Sequence, residues 1–329
     1  MTASGRRRGR IVVIGSYNRD IVVRLDRFPA PGETVLAHGL LTAHGGKGSN
    51  QAVQAARCGA PVAIVAAIGA DEPGATALAL WAQEGIDARA VRRVGEPTGT
   101  AIIEVDAAGE NQIVVVAGAN ALLDRTLIAE AEAAGIFADA ALVLAQLETP
   151  IEATLAGFER ARTEGARTLL NIAPASKAIP AELFDLADLV VANEGEAATV
   201  TGLPAEAGGA RLSRALRGRL AGGAAAVVTV GAEGAFLAAP EAPEGLHVPA
   251  PRVAVVDTTG AGDAFVGAVA AHLALGAELA GALTAGVVAG SLACGRRGAV
   301  PSLPDRAEIA AGLARRDRAD SRQAEETRP

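Results

Sequence analysis

Short runs of small and β-branched apolar residues recur along this chain, with helix-patterned stretches between them. The runs at 11–14, 61–68, 141–147, 168–172, 189–192 and 225–230 are nearly unbroken by polar residues. Strands buried on both faces read this way, because helices cover both sides of a parallel sheet. Strand and helix in alternation imply right-handed βαβ units. The expected fold class is therefore α/β, a three-layer α/β/α body around a mostly parallel sheet. Hydrophobic residues make up 50% of the 329 but aromatic ones only 2%. The core must then be built from Ala, Val, Leu and Ile, whose small side chains let helices approach the sheet closely.

Two segments break the rhythm, roughly 20–44 and 98–117. The second holds two extended runs, 100–105 and 112–116, around a turn at Gly109, which is a hairpin pattern. Both segments read as antiparallel material inserted into the body, a small β-sheet lid. Residues 264–294 are rich in Ala, Gly and Val, but His272 and Glu278 interrupt them; a buried helix pair is expected there rather than a membrane span. The charged stretch 313–329 lacks apolar periodicity and is expected to be a flexible tail.

The net charge of −7 leaves no dominant basic face, so nucleic acid is not an expected partner. The basic run at Arg6–Arg10 reads as a solvated tail. It is too short for a signal peptide, and the stretch after it is too polar. Two cysteines, Cys58 and Cys294, form no disulfide framework or CxxC site, as in a protein of the reducing cytoplasm. Four histidines without ligand spacing predict no zinc.

The chemistry concentrates in VAVVDTTGAGDAFVGAVAAHLA, 253–274. A strand is expected over 253–256, then the turn Gly260-Ala261-Gly262, then an apolar helix with Asp263 in its first turn. Unpaired amides and the positive end of the helix dipole make such a junction an anion site. A carboxylate beside a phosphate cradle suits transfer of a phosphoryl group to a hydroxyl. Asp263 alone would equally cap the helix; the whole string is the informative signal. It is no dinucleotide fingerprint, since Phe265 replaces the third glycine. Nor is Lys47 part of a Walker A loop, because Leu41 and Gly48 occupy positions reserved for glycine and a hydroxyl residue.

DTTGAGDAF resembles the C-terminal signature of the ribokinase family of carbohydrate kinases, and HGGKGSNQAVQAAR at 44–57 its N-terminal signature. The blocks GSYNRD, PAPGET, PTGTAII, GEN, AGAN, QLE, NIAPA, NEGEA, TVGAEG and GAVPS run in the family's order, so the resemblance spans roughly 11–312. It implies one kinase domain over 1–312, with Asp263 as general base and Gly260, Ala261 and Gly262 as the anion hole. It also implies a sugar site of Asn18, Asp20, Gly46, Lys47, Asn50 and Glu148. ATP would lie on Asn193, Thr229, Gly231, Glu233, Gly234 and Gly262. Hydrated Mg²⁺ would be held by Asn193 and Glu196, although NEGE alone reads as a helix cap. An activating K⁺ would sit among Asp257, Thr259, Ala293, Arg296, Gly298 and Ser302. The sugar set implies D-ribose, phosphorylated at its 5-hydroxyl; deoxyribose, a ketohexose or a nucleoside are the alternatives, and a sensor without turnover the remote one. Two departures bear on specificity: Tyr17 replaces a small aliphatic residue and is expected in the core, and Val287 stands where the family often has Asn or His beside adenine. The lid implies a homodimer.

Overall fold

The structure, a computed structural model, describes residues 8–176 and 178–326. The chain runs β1 (Arg10–Ile14), β2 (Asn18–Arg24), β3 (Gly39–Gly45), α1 (Lys47–Arg57), β4 (Val62–Gly69), α2 (Glu72–Gln83), β5 (Asp87–Val94), β6 (Gly99–Val105) and β7 (Asn111–Val116). It continues α3 (Arg125–Ala133), β8 (Ala140–Ala145), α4 (Ile151–Glu164), β9 (Arg167–Asn171), α5 (Ala181–Leu186), β10 (Leu189–Asn193), α6 (Glu194–Thr201) and α7 (Gly209–Arg217). Then come β11 (Ala225–Val230), β12 (Gly234–Ala239), β13 (Ala242–Val248), α8 (Ala261–Ala274), α9 (Leu279–Ala293) and α10 (Arg306–Glu326).

Among the described residues nine strands form the main sheet in the order β13-β12-β11-β10-β9-β8-β1-β4-β5. It is parallel from β11 to β5 and antiparallel at β12 and β13. Ile11, Val12, Val13 and Ile14 of the central β1 are all fully buried. Alternate residues of each strand feed two cores. Ile11 and Val13 face α1, α8 and α9, and Val12 and Ile14 face α3, α4 and α5. These are the expected three layers. The expected buried helix pair is α8 and α9; at Gly286 a Cβ would meet Val269 Cγ2 at 2.6 Å, so the small residues permit the close crossing. No helix among the described residues is long and apolar enough to cross a membrane.

The two odd segments form one sheet, β3-β2-β6-β7. Its pairs are antiparallel except β2–β6, which is parallel because the two segments enter from the same edge of the body. Three sequence expectations are corrected, and three strands not expected from the sequence are added. Residues 253–256 are not a strand: no neighbouring strand supplies a ladder there. The Val256 and Asp257 amides instead donate to the Cys294 carbonyl at 2.8 and 3.2 Å. The strand β13 and the charged edge strand β5 carry too little apolar alternation to be read from sequence, whereas β12 is a short apolar run directly after the turn at 231–234. The stretch from 313 continues α10 as helix to Glu326, since Ala, Arg, Glu and Gln are good helix formers. In the basic run, Arg6 and Arg7 lie outside the described residues, as do 327–329, while Arg10 opens β1.

Candidate active site

The site lies where β1, β8 and β10 end, the carboxyl edge at which open α/β sheets hold ligands. Gly46, just before α1, has φ +87°, and a Cβ there would stand 2.7 Å from both the Asn18 nitrogen and Tyr17 Cα. Only glycine permits that approach. The first α1 amides are all taken by protein: Lys47 N donates to Glu148 Oε2 (2.9 Å), Gly48 N to Ser16 Oγ (3.3 Å) and Ser49 N to the Ser16 carbonyl (2.9 Å). Ser16 Oγ in turn donates to Glu148 Oε2 at 2.6 Å.

Asn18 and Asp20 share one face of β2, two residues apart. Asn120 Nδ2 donates to Asn18 Oδ1 (2.8 Å), while Asn120 Oδ1 accepts from the Tyr17 amide (3.0 Å). Gly45 makes room for the Asp20 carboxylate, which a Cβ would strike. Burial, then repulsion from Glu148 and Asp263, pushes Asp20 up to about 7, with Lys47 opposing. Burial pulls Lys47 down, but Asp263, Glu148, Glu196 and Asp20 together hold its ammonium above the usual range. Its Nζ stands 3.9 Å from Glu148 Oε1. Lys47 is thus a cation facing four carboxylates, a role for a compact ammonium. Tyr17 is buried as expected; its hydroxyl lies 3.0 Å from His44 Nδ1 and its ring packs edge-on against Trp81.

Asp263 lies in the first turn of α8 and reaches across to α1. Its Oδ2 accepts from Asn50 Nδ2 and its Oδ1 from Gln51 Nε2, both at 2.9 Å. Burial, the largest influence, pushes this carboxyl above the usual range with help from Glu148, and Lys47, Asn50 and Gln51 only partly offset it. Gly260 caps α8 with φ +78° and no side-chain hydrogen bond. The Ala261 amide donates to the Thr258 carbonyl at 3.2 Å, so it is already engaged. Among the described residues no hydrogen bond takes the Gly260 or Gly262 amide. A cleft of about 230 Å³ opens over this turn, lined by Lys47, Asn171, Asn193, Glu196, Thr229 and Asp263.

Asn193 and Glu196 form a capping box on α6: Asn193 Oδ1 accepts from the Glu196 amide and Glu196 Oε2 from the Asn193 amide, each at 2.8 Å. The cap reading and a cleft position therefore coexist. Only Oε2 of Glu196 is engaged among the described residues, and burial pushes its carboxyl up. A part-buried carboxylate of this kind fits a cation. Thr229 pairs across from Asn193 in the sheet. Gly231 and Glu233 form a single turn after β11, and Gly234 opens β12; these three do not line the cleft over Asp263.

Asp257 ties two loops together, Oδ1 accepting from the Thr259 amide (2.9 Å) and Oδ2 from the Gly298 amide (2.8 Å). Burial raises its carboxyl, but these donors outweigh it and hold the group low. A Cβ at Gly260 would stand 3.0 Å from Ala299 Cα, so this loop lies against the anion turn. The Arg296 side chain turns away to Glu308, and Ser302 Oγ donates to the Ala299 carbonyl (2.8 Å). The Ala293 carbonyl accepts from the Arg296 amide at 3.1 Å, so of the residues expected around a monovalent cation only Asp257 brings a charged oxygen. Val287 is a buried residue of α9, so it offers almost no surface to adenine.

Sequence reasoning missed Ser16, Gln51, Asn120, Gln146 and Asn171. Each falls inside one of the family's sequence blocks, but block membership says nothing about which side chain hydrogen-bonds which.

The structure resembles that of Arabidopsis thaliana ribokinase complexed with ribose and ATP, with TM-score 0.83 and 31% identity over 93% of this chain and 99% of that one. Mouse ribokinase is 38% identical over 269 residues, 80% of this chain and 81% of the mouse protein. The bifunctional ribokinase/ribose-5-phosphate isomerase A of Fructilactobacillus sanfranciscensis is 36% identical over 303 residues; the match covers 91% of this chain but only 55% of that protein's length. The model of the pfkB family carbohydrate kinases matches residues 8–306, every element from β1 to the start of α10. With that model matching nearly the whole length and a relative 38% identical over most of it, the chain belongs to the pfkB family of carbohydrate kinases.

Proposed function

We propose that this kinase transfers the γ-phosphoryl group of ATP to the 5-hydroxyl of D-ribose. The observation that carries this reading is the placement of Asp263: its carboxylate shares a cleft with two open amides of the α8 turn and is tied to Asn50 of the sugar site. The relatives named ribokinase, and the Arabidopsis enzyme held with ribose and ATP, support ribose as acceptor.

Asp20 accepts two sugar hydroxyls, for which its ionised carboxylate, acceptor-only at both oxygens, is the stronger form. Asn18 and Asn50 add amide donors, and Glu148 with Lys47 closes the ring. The 5-hydroxyl faces Asp263, which takes its proton as the oxygen attacks the γ-phosphorus and the bond to the β-phosphate oxygen breaks. Gly260 and Gly262 amides stabilise charge on the transferring group; the Ala261 amide joins them by leaving Thr258. Lys47 offsets charge between sugar and phosphate. Thr229, with the Gly231–Gly234 turn beyond the cleft, holds the nucleotide. Asn193 and Glu196 would hold Mg²⁺, which supplies charge neutralisation to the phosphates when bound. Asp257, with the backbone carbonyls of Thr259, Ala293, Arg296, Gly298 and Ser302, would hold K⁺ beside the anion turn.

The same reading takes 1–312 as one kinase domain working in the cytoplasm, in keeping with two unpaired cysteines. The lid face that carries Asp20 also carries the exposed Leu41, Ile113 and Val115. A second copy of the chain is the partner this apolar strip suits.

The test is ADP formation with ribose, deoxyribose, fructose and adenosine, each with and without K⁺. Ribose is expected to give the highest kcat/KM, and K⁺ to raise turnover. Faster phosphorylation of another acceptor overturns the sugar assignment; ATP consumption indifferent to sugar overturns the kinase reading.

A further inference from the structure

Behind the reacting carboxylate lies a buried row of side-chain amides that takes no direct part in the transfer. Gln146 comes just after β8, and its Nε2 donates to Gln51 Oε1 at 2.7 Å. Gln51 Nε2 has two hydrogens and both are used: one goes to Asp263 Oδ1 and one to Asn171 Oδ1, each at 2.9 Å. Asn171, at the end of β9, donates through Nδ2 to the Val191 carbonyl of β10 at 3.2 Å. Gln51 and Gln146 are both essentially without solvent exposure, and Asn171 is buried.

The direction of this row is set by chemistry. A carbonyl only accepts, so Val191 fixes Asn171 with its Nδ2 toward β10 and its Oδ1 toward Gln51. Gln51 must then present its NH₂ to Asn171, and the same group meets Asp263. A flipped Gln51 would set its carbonyl oxygen against two acceptors, Asn171 Oδ1 and a carboxylate. Gln146 takes the remaining end by donating into Gln51 Oε1. Three strands of the main sheet, β8, β9 and β10, thus determine which atom of a residue on α1 faces a carboxylate on α8. A charge-assisted bond of this kind strengthens where water is excluded.

We propose that Gln51 is a positioning residue for the phosphoryl-transfer step: clamped by Gln146 and Asn171, it keeps the Asp263 carboxylate ionised and turned toward the acceptor hydroxyl. This rests on the reading of Asp263 as general base. Asn50 holds the other oxygen, but Asn50 also belongs to the sugar site and is expected to exchange partners when sugar binds. Gln51 has no such second duty, so it is the constant partner of the base. The charged groups around Asp263 are Lys47 on α1, Glu148 after β8, Asp20 on the lid and Glu196 on α6. Three of these four are carboxylates, which favour protonation of the base, so an uncharged donor that favours the ionised form has a clear task.

The test measures kcat and ribose KM across pH 5.5 to 9.5 for the wild type, Gln51→Leu, Gln51→Glu and Asp263→Asn. Removing a donor from the ionised form raises the pKa of the base. Gln51→Leu is expected to move the acid limb of kcat upward by about one pH unit. On the acid limb itself turnover falls roughly tenfold for such a shift, and it recovers toward the wild type at pH values above the limb. Gln51→Glu sets a like charge beside Asp263 and is expected to move the limb further. Ribose KM is expected to stay within about threefold for both. A fold loosened by the lost amide row would depress kcat at all pH values without recovery, and thermal unfolding run in parallel registers it. An unshifted acid limb in both folded variants overturns the role of Gln51. Asp263→Asn separates the two levels. If it keeps near-wild-type turnover the base assignment itself fails; if it is inactive while both Gln51 variants keep the wild-type profile, only the positioning inference fails.

Discussion

Helices α1 and α8 begin alike and are used differently. Each comes after a glycine at positive φ, Gly46 at +87° and Gly260 at +78°, and neither has a side-chain cap. At α1 the exposed amides are closed by Ser16 and Glu148, so the dipole end is consumed inside the protein. At α8 the Gly260 and Gly262 amides face the cleft without a protein partner among the described residues. The same local device therefore builds a rigid wall in one case and an anion hole in the other. What separates them is whether neighbouring side chains reach the amides. The two ends are joined by Asp263 of α8, held by Asn50 and Gln51 of α1.

Four experiments bear on this contrast. The largest expected effect is at the open end: Asp263→Ala should lower kcat by about 10²- to 10⁴-fold, with ribose binding retained in calorimetry. Turnover within a few-fold of the parent would remove α8 as the reacting end. At the closed end, Gly46→Ala should act on stability. Left-handed backbone costs about 1–2 kcal/mol and overpacking against Asn18 and Tyr17 about 1–3 kcal/mol. A denaturant midpoint unchanged from the wild type would show that α1 is no rigid wall.

The third concerns Asp20, which lies between the two ends. Its carboxyl is pushed up to about 7 from 3.8. The ionised form is the one that accepts sugar hydroxyls, so ribose KM should rise as pH falls through 7, about tenfold per pH unit below it. Asp20→Asn should flatten that dependence. For folding the sign is the same at the proton level: between roughly pH 4 and 7 the folded chain keeps a proton that the unfolded chain releases. This group therefore weakens folding as pH rises through that window. The smallest expected effect is Gly262→Ala. A Cβ there meets nothing within 4 Å, and its φ is ordinary. Helix propensity predicts stability unchanged or raised by up to about 1 kcal/mol, while the added methyl stands over the open turn and should raise the KM for ATP. Stability lost instead would mean that the α8 end is as tightly built as that of α1.

Legibility differed between fold and site. Buried parallel strands were plain in the sequence because burial on both faces leaves unbroken apolar runs, as in Ile11–Ile14. The strand expected at 253–256 failed because apolar residues there have no strand beside them; Val255 is 66% exposed. Edge strands β5 and β13 were missed for the opposite reason, having partners but little apolar patterning. In the site, Asp263, Asn50, Asp20 and Glu148 were identified by motif, and the fold brings them together. Gln51 was passed over although it adjoins Asn50, because adjacency on a helix does not say which side chain reaches α8.

The sequence by itself determined the parallel α/β body, the lid segments, the family and the acidic residue at the head of α8. These come from periodicity, glycine placement and residue type, all of which are local. Only the tertiary structure decided which amides stay open, which carboxylates crowd Lys47 and which way the Gln51 amide points. Those depend largely on groups far apart in the chain, such as Gln51 and Asp263 with their separation of 212. Hydrogen-bond direction and charge coupling act across space, and the order of residues encodes them only through the completed fold.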